Sequence, residues 1–548
     1  MKSTPVRPSV MVFLAVLLVG MVFAAITQHA WEDYWITFRA SKNLATGHGL
    51  VFVQGERLQT YTSPLGVLLP AFFSWITGNR SDELALWLFR LASLSALATG
   101  VVLFFQVLRS FGLRPVSCLL AVALIGLDAK TVDFSTNGME TGILIFFLAL
   151  SIHGLLVEGP RRILRLGLGW AGLMWTRPDS FIYIGILALS ALIFLPDRQT
   201  NRNAWCKKMA TSGLICAVLY LPWVLWAWHY YGSPIPNTVV AKASIFPLPP
   251  IRELVSDILS FPLAVAAPRG VYQQVFAPTY FYYGGWHFSV VITASYIAFI
   301  LSFVWLIPLL RPQTRLFSLV FFLGLFYLGV IVRGFYPWYL PSVSTMGFLT
   351  LGLLFDDALS FAGKLPQLGW DRGWFARLAL VLRSAGSLLV AGQLIILVCA
   401  GREMFMQQVL IEDGLRRPIG MWLREHAQTP HDTVMVEPLG YVGYFSQLKM
   451  LDYPGLSSKE VVETRRRLGP DKQNLAYLEL KPDWIVLRPN EAQYPNGMIN
   501  PEHLGDFYDL VVAFDVSEKI AAVGWLPGRD CLLYDQTFQI YHRKPTAN

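Results

Sequence analysis

The chain has 548 residues, of which 54% are hydrophobic, 14% aromatic and only 15% charged, and it carries a formal net charge of +8. An ordinary soluble enzyme holds about 25% charged residues and a disordered chain is poor in aromatics, so both classes are excluded. The surplus of Lys and Arg reads as cationic loops of a membrane protein, and no nucleic-acid partner is expected.

Charge is unevenly spread along the chain. Residues 401–548 hold 36 charged side chains, whereas the 400 residues before them hold 44. This predicts a polytopic α-helical membrane domain over 1–400 and an extracytoplasmic α/β domain over 401–548. The five cysteines show no metal-ligand spacing. Cys118, Cys206, Cys216 and Cys399 lie in or beside apolar runs, and only Cys531 falls in the second domain, which therefore has no internal disulfide to form.

Apolar runs long enough to cross a bilayer lie near 9–28, 84–108, 115–129, 139–157, 162–176, 180–196, 209–229, 287–310, 316–332, 338–355 and 377–400, about 11 transmembrane helices. The first is read as an uncleaved anchor. The apolar stretch 64–78 opens with Ser63-Pro64 and is taken as a helix lying on the outer surface. With the N-terminus cytoplasmic, the inner loops hold 16 Lys and Arg, and the outer loops hold 10 in about twice the length. That orientation puts the C-terminal domain outside.

The first outer loop, 29–83, is the richest in chemistry. It opens Trp31-Glu32-Asp33-Tyr34-Trp35, two adjacent carboxylates directly after a span. Carboxylates at a membrane boundary cost free energy unless a cation compensates them. They read as a general base or a metal ligand at the mouth of a cavity, or as solvated acids at a helix end. Val51-Phe52-Val53, between Gly47-His48-Gly49 and Gly55-Glu56-Arg57, reads as a strand in a tight hairpin, with His48 at its turn.

Further outer turns carry Glu140 at the start of a span, Arg177 and Asp179 in Thr176-Arg177-Pro178-Asp179, Asn237 and Lys242 after Tyr231-Gly232-Ser233-Pro234, and Arg333 in Arg333-Gly334-Phe335-Tyr336. Glu140 also suits the positive end of a helix dipole, and Arg177 and Asp179 could simply pair. If these loops converge, Arg177, Lys242 and Arg333 form a cationic site for a phosphate beside the acids.

In the second domain, Gln407–His426 has the spacing of an amphipathic helix. Strands are expected at Thr433–Val436, Trp484–Leu487, Leu510–Phe514 and Phe538–Tyr541. Glu437, Tyr441 and Asp452 fall in its first strand-and-turn region.

Residues 33–65, from Asp-Tyr-Trp-Ile-Thr-Phe-Arg through Gly-His-Gly-Leu-Val-Phe to Tyr-Thr-Ser-Pro-Leu, resemble the first outer loop of bacterial GT-C glycosyltransferases. They resemble in particular those of the mycobacterial terminal β-(1→2) arabinofuranosyltransferases and the relatives that arabinosylate type IV pilin. It continues through Gly138-Met139-Glu140-Thr141, Thr176–Asp179, Tyr230–Asn237, Ile419–His426 and Gly440–Tyr444. The resemblance implies a GT-C-like fold in a bacterial plasma membrane, and transfer of a sugar, arabinofuranose foremost, from a polyprenyl-phosphate donor. The acceptor would be an extracytoplasmic glycan, glycolipid or protein. The family's paired acids correspond to Glu32 and Asp33, which implies a catalytic role or a divalent cation (Mg, Mn or Ca) there. Here Glu32 stands where the family has a first Asp, and Tyr34 where it has a small residue.

On this reading Asp33 is the base, with Glu32 and Glu140 orienting it. Arg177, Lys242 and Arg333 bind the donor phosphate, and His48, Asp179 and Asn237 contact substrate. A secondary transporter or lipid flippase is the competing reading. It would want polar groups at mid-membrane and two related halves. No halved symmetry is visible, and Arg90, inside a predicted span, is the exception to the one-sided polar pattern. A non-catalytic scaffold is the third.

Overall fold

The computed structural model describes residues 6–195, 202–245, 249–267, 270–278, 286–363, 372–492 and 498–545. Four of the loop cations counted above, Lys2, Arg198, Arg269 and Lys364, lie outside them.

The membrane domain is helical. In chain order it contains α1 (Val6–Thr27), α2 (Glu32–Ala45), α3 (Pro64–Ile76), α4 (Asp82–Ser110), α5 (Pro115–Gly126), α6 (Ala129–Thr136), α7 (Thr141–Leu156) and α8 (Arg162–Thr176). There follow α9 (Phe181–Phe194), α10 (Arg202–Tyr231), α11 (Asn237–Ile245), α12 (Ile251–Ser260), α13 (Val271–Phe276), α14 (Phe288–Phe303), α15 (Pro312–Phe326), α16 (Leu340–Ala362) and α17 (Arg372–Met406). Among the described residues seven helices are long and apolar enough to cross a membrane, and α5 with α6, bent by 50°, makes an eighth if the pair counts as one. The chain is a multi-pass membrane protein. The spans expected at 139–157, 162–176 and 180–196 are helices too, of 16, 15 and 14 residues.

Local chemistry sets the first loop. The acids of Glu32 and Asp33 occupy the first turn of α2, where the exposed N–H groups favour negative charge. Ser63 caps α3 by accepting from the Gly66 amide, with Pro64 at the first helical position. The expected strand at 51–53 does not form. Asn43 donates its side-chain amide to the Val51 carbonyl at 2.8 Å and the Phe52 carbonyl at 3.3 Å, giving that backbone a side-chain partner in place of a second strand. Leu50, Val51 and Phe52 are buried.

The C-terminal domain is entered without a linker. α17 runs on through a π-helical stretch, Gln407–Arg416, into α18 (Arg417–His426). Of the expected stripe Leu415, Ile419 and Leu423 are buried and Leu410 and Trp422 partly so, with Ile411 buried beside them. A five-stranded sheet follows, in the order β2-β1-β3-β5-β4: β1 (Thr433–Val436), β2 (Lys449–Asp452), β3 (Trp484–Leu487), β4 (Tyr508–Asp515) and β5 (Thr537–Arg543). β1 runs parallel to β2 and β3, while β5 is antiparallel to β3 and β4. Strand β2 was not expected, because Lys-Met-Leu-Asp is short and has no β-branched residue.

The two parts share a core. Ile36 of α2 and Phe52 belong to the apolar cluster that holds Val434, Val436 and Trp484 of the sheet. Arg39, buried on α2, donates to the carbonyls of Gly443 and Leu448 at 2.9 Å and of Gln447 at 2.8 Å, satisfying the end of α19 (Leu439–Ser446). Trp35 packs on Tyr441, Tyr444 and Phe445 of the same helix. Helix α2 therefore carries the acid pair on its first turn and the domain contact along its side.

Candidate active site

Two cavities meet at the start of α2. The larger, about 760 Å³, lies between the membrane helices and the C-terminal domain and is lined by Glu32, Asp33, Lys242, Trp338, Arg416 and Arg488 among others. The smaller, about 70 Å³, is lined by Asp33, Ser63, Glu140, Arg177, Lys242 and Tyr339 among others. Asp33 and Lys242 belong to both. Asp33 therefore stands in the wall between a narrow chamber and a wide one.

The acid pair is enclosed by protein and half-buried in the cavity wall. Burial holds the Glu32 carboxyl well above the usual carboxylate range, and its neighbour Asp33 pushes the same way. Burial raises Asp33 too, but Lys242 opposes this and Glu32 favours its ionised form by a hydrogen bond. The two carboxyls adjoin and titrate as a pair, with Glu32 pushed up further than Asp33. Glu32 also accepts from the backbone amide of Gly440, at the start of α19. No side chain fits at 440, because a Cβ there would stand 2.0 Å from the Glu32 carbonyl oxygen.

Around the small cavity, the Arg177 guanidinium lies 3.2 Å from Asp179, 3.8 Å from Glu140 and 4.4 Å above the Tyr339 ring. Burial alone would depress its pKa, but Asp179, Tyr339 and Glu140 carry it above its ordinary value, so it stays charged. Burial raises the Glu140 carboxyl, with Arg177 opposing. The Lys242 ammonium stands 5.3 Å over Tyr336 and 5.9 Å over Trp338. Gly138 precedes Glu140 with φ +96°, and a Cβ there would meet the Tyr34 ring at 2.4 Å, so only glycine lets this turn reach α2.

Of the residues singled out in the sequence, the structure brings Glu32, Asp33, Glu140, Arg177 and Lys242 together, with Asp179 behind Arg177. It does not bring Arg333, His48 or Asn237 to the cavity. Arg333 pairs with Glu253 and Asp257 of α12, because knowing which membrane face a cation occupies leaves its lateral position undetermined. His48 is exposed, beside Thr46 at 3.0 Å. Asn237 spends its amide on the carbonyls of Gly455 (2.8 Å) and Leu456 (3.0 Å), pinning the start of α11 to the C-terminal domain. Glu437 lines the large cavity. Tyr441 is buried and donates to the Ala30 carbonyl, and buried Asp452 accepts from the amides of Leu456 and Ser457, holding a loop of the cavity wall.

Sequence reading missed the far wall of the large cavity. There Arg416 bonds Glu412 (2.7 Å) and Asp535 (2.6 Å), while Arg488 bonds Glu491 (2.6 Å), Glu437 (2.9 Å) and Asp535. Two signals were present. Glu412 and Arg416 are an i,i+4 pair, and Arg488 follows directly on the wholly buried strand β3, at the carboxyl end where α/β sheets bind ligands. Tyr336, Trp338 and Tyr453 add aromatic faces of the kind that stack on sugar rings. A divalent cation would have Glu32 and Asp33 as its carboxylates. Among the described residues no group of three or more His, Cys, Asp or Glu side chains is arranged to hold a metal ion.

Residues 404–541 match the family described as Domain of unknown function (DUF8728). The chain is 27% identical over 272 residues to a terminal β-(1→2)-arabinofuranosyltransferase of Corynebacterium glutamicum, covering 44% of this chain. It is 28% identical over 264 residues to the protein of that name from Mycobacterium tuberculosis, covering 42% of this chain. It spans 38% of the length of each of these relatives. In fold it is similar to ArnT from Cupriavidus metallidurans, solved bound to undecaprenyl phosphate. That likeness has a TM-score of 0.51 at 12% identity and covers 98% of both chains.

Proposed function

We propose that the chain is a membrane glycosyltransferase of GT-C type, moving a sugar, arabinofuranose foremost, from a polyprenyl-phosphate donor to an acceptor hydroxyl on the extracytoplasmic face. The single observation that carries this reading is the position of Asp33, in the wall common to a small chamber flanked by Arg177 and Lys242 and a large one lined by carboxylates and aromatics. The arabinofuranosyltransferase relatives support the sugar, and the ArnT likeness supports a lipid phosphate as its carrier. The loop-charge bias supports an outer-facing site with the N-terminus cytoplasmic.

Each residue then has a task. Cleaving the sugar–phosphate bond leaves negative charge on the departing lipid phosphate, which Arg177 and Lys242 stabilise in a partly dry chamber. The acceptor hydroxyl approaches from the large cavity and is a weak nucleophile until Asp33 takes its proton. Protonated Glu32, fixed by the Gly440 amide, orients the Asp33 carboxylate. A base that takes the acceptor proton directly suits a displacement with inversion.

The test is to reconstitute the purified protein in nanodiscs with a synthetic polyprenyl-phosphoryl arabinofuranose and an oligosaccharide acceptor. The expected result is release of polyprenyl phosphate with a new glycoside of inverted anomeric configuration. Donor left intact, or sugar crossing a vesicle with no product, would overturn the reading and favour transport.

A further inference from the structure

Arg90 sits on α4, one of the membrane-spanning helices, and is 2% exposed. No carboxylate lies within ion-pair distance of it among the described residues. Its guanidinium donates instead to three backbone carbonyls: Nε to Thr136 at 2.7 Å, and Nη2 to Gln28 at 3.0 Å and His29 at 2.7 Å. Thr136 ends α6, and Gln28, with φ +49°, immediately follows α1. The cation therefore sits where two helix C-termini converge, and their carbonyl dipoles compensate it in place of an acid.

Those two ends lead into the two acid-bearing turns. Four residues after Gln28 comes Glu32, and four after Thr136 comes Glu140. The turns are also bonded to each other: the Trp31 amide donates to the Asn137 carbonyl at 2.8 Å. Asp133 joins them again, contacting His29 Nδ1 at 3.1 Å and accepting from the Asn137 side chain at 3.2 Å. Arg90 is the member of this bracket that comes from a third helix.

We infer that Arg90 is a positioning residue, a rigid cationic brace that fixes the Glu32–Asp33 turn against the Glu140 turn and keeps the acid pair enclosed. Its bearing on transfer rests on the proposed glycosyltransferase activity, while its bearing on the two turns does not. Without the brace the turns separate, and their backbone amides exchange faster with solvent. A displacement of about 1 Å at the base lowers turnover by about 10²-fold, while Arg177 and Lys242, carried by other elements, still bind donor.

The experiment compares wild type, Arg90→Gln and Arg90→Lys in nanodiscs with two readouts. The first is hydrogen–deuterium exchange of residues 28–33 and 136–141, read by mass spectrometry against the rest of the chain. The second measures kcat and donor KM. Arg90→Gln is expected to speed exchange in those two segments and to lower kcat with KM little changed. Arg90→Lys, which keeps the charge but lacks the planar fork, is expected to recover part of both. A folded Arg90→Gln protein with wild-type exchange and kcat would overturn the inference, as would a fall in kcat that only tracks the folded fraction. If Arg90→Gln does not fold, Arg90→Lys carries the same two outcomes. If wild type transfers no sugar, the glycosyltransferase reading fails and the exchange arm alone decides on Arg90.

Discussion

Glu32 and Gly440 lie 408 residues apart, yet the Gly440 amide donates to the Glu32 carboxyl group. One end of the C-terminal domain is thereby a ligand of the acid pair that opens α2. Domain docking and the electrostatics of the site are a single contact, so a change at position 440 reads out in both.

Gly440→Ala places a methyl group against the Glu32 backbone carbonyl and close to its carboxyl group, and the backbone carbonyl cannot swing aside as a side chain can. It is expected to cost about 1–3 kcal/mol of stability and to lower transfer at least tenfold. Thermal unfolding in detergent beside an activity assay checks both.

Glu32→Gln and Asp33→Asn should separate sharply. Gln keeps an acceptor for the Gly440 amide and a donor for Asp33, as protonated Glu32 does, so most activity survives. Asn at 33 removes the base, at a cost of about 10²–10⁴-fold in kcat. Steady-state kinetics on both variants is the check, and equal losses would argue against the division of roles.

The raised carboxyl groups also fix two pH effects. The proposed base works only when ionised, so the acid limb of transfer is expected at a pH above the ordinary carboxylate range. For stability the sign is opposite. Folding favours the protonated form of Glu32, so this contribution is full below the unfolded carboxyl pKa and is lost as pH rises through the folded one. Glu32→Gln is therefore expected to unfold at a higher temperature than wild type at neutral pH, with the difference vanishing near pH 4.

Arg177→Ala and Arg333→Ala form a matched pair. Arg177 stands between Glu140 and Asp179 at the small cavity, and its loss is expected to lower kcat/KM about 10²-fold or more. Arg333 pairs with Asp257 on α12, and its loss should leave kcat/KM within about twofold, since exposed ion pairs contribute little. Kinetics against donor concentration distinguishes the two.

Arg416→Met removes a cation shared by Glu412 and Asp535 and leaves both acids buried. Breaking a buried pair in this way costs about 3–5 kcal/mol, whereas removing the triad together costs less. A triple-mutant series in chemical denaturation checks that non-additivity.

Much of this was legible in the chain. Apolar runs marked most helices, and short β-branched or aromatic runs bounded by turn residues marked four of the five strands. The acid pair, Glu140 and Arg177 stood out as charges at the ends of apolar segments. Arg333 was misplaced because hydropathy orders residues along the membrane normal and says nothing about which helices adjoin. Asn237 looked like a substrate ligand because its use of two carbonyls from residues 455 and 456 depends on a contact over 200 residues away. Arg416 and Arg488 escaped notice because buried cations announce themselves only through their partners.

The account turns on Asp33 as the base at the junction of the two cavities. Single-turnover transfer from a pre-bound polyprenyl-phosphoryl sugar, comparing wild type with Asp33→Asn at equal donor occupancy, tests this most directly. The predicted result is a chemical step slower by about 10² or more with donor binding unchanged. A wild-type rate in Asp33→Asn would contradict it.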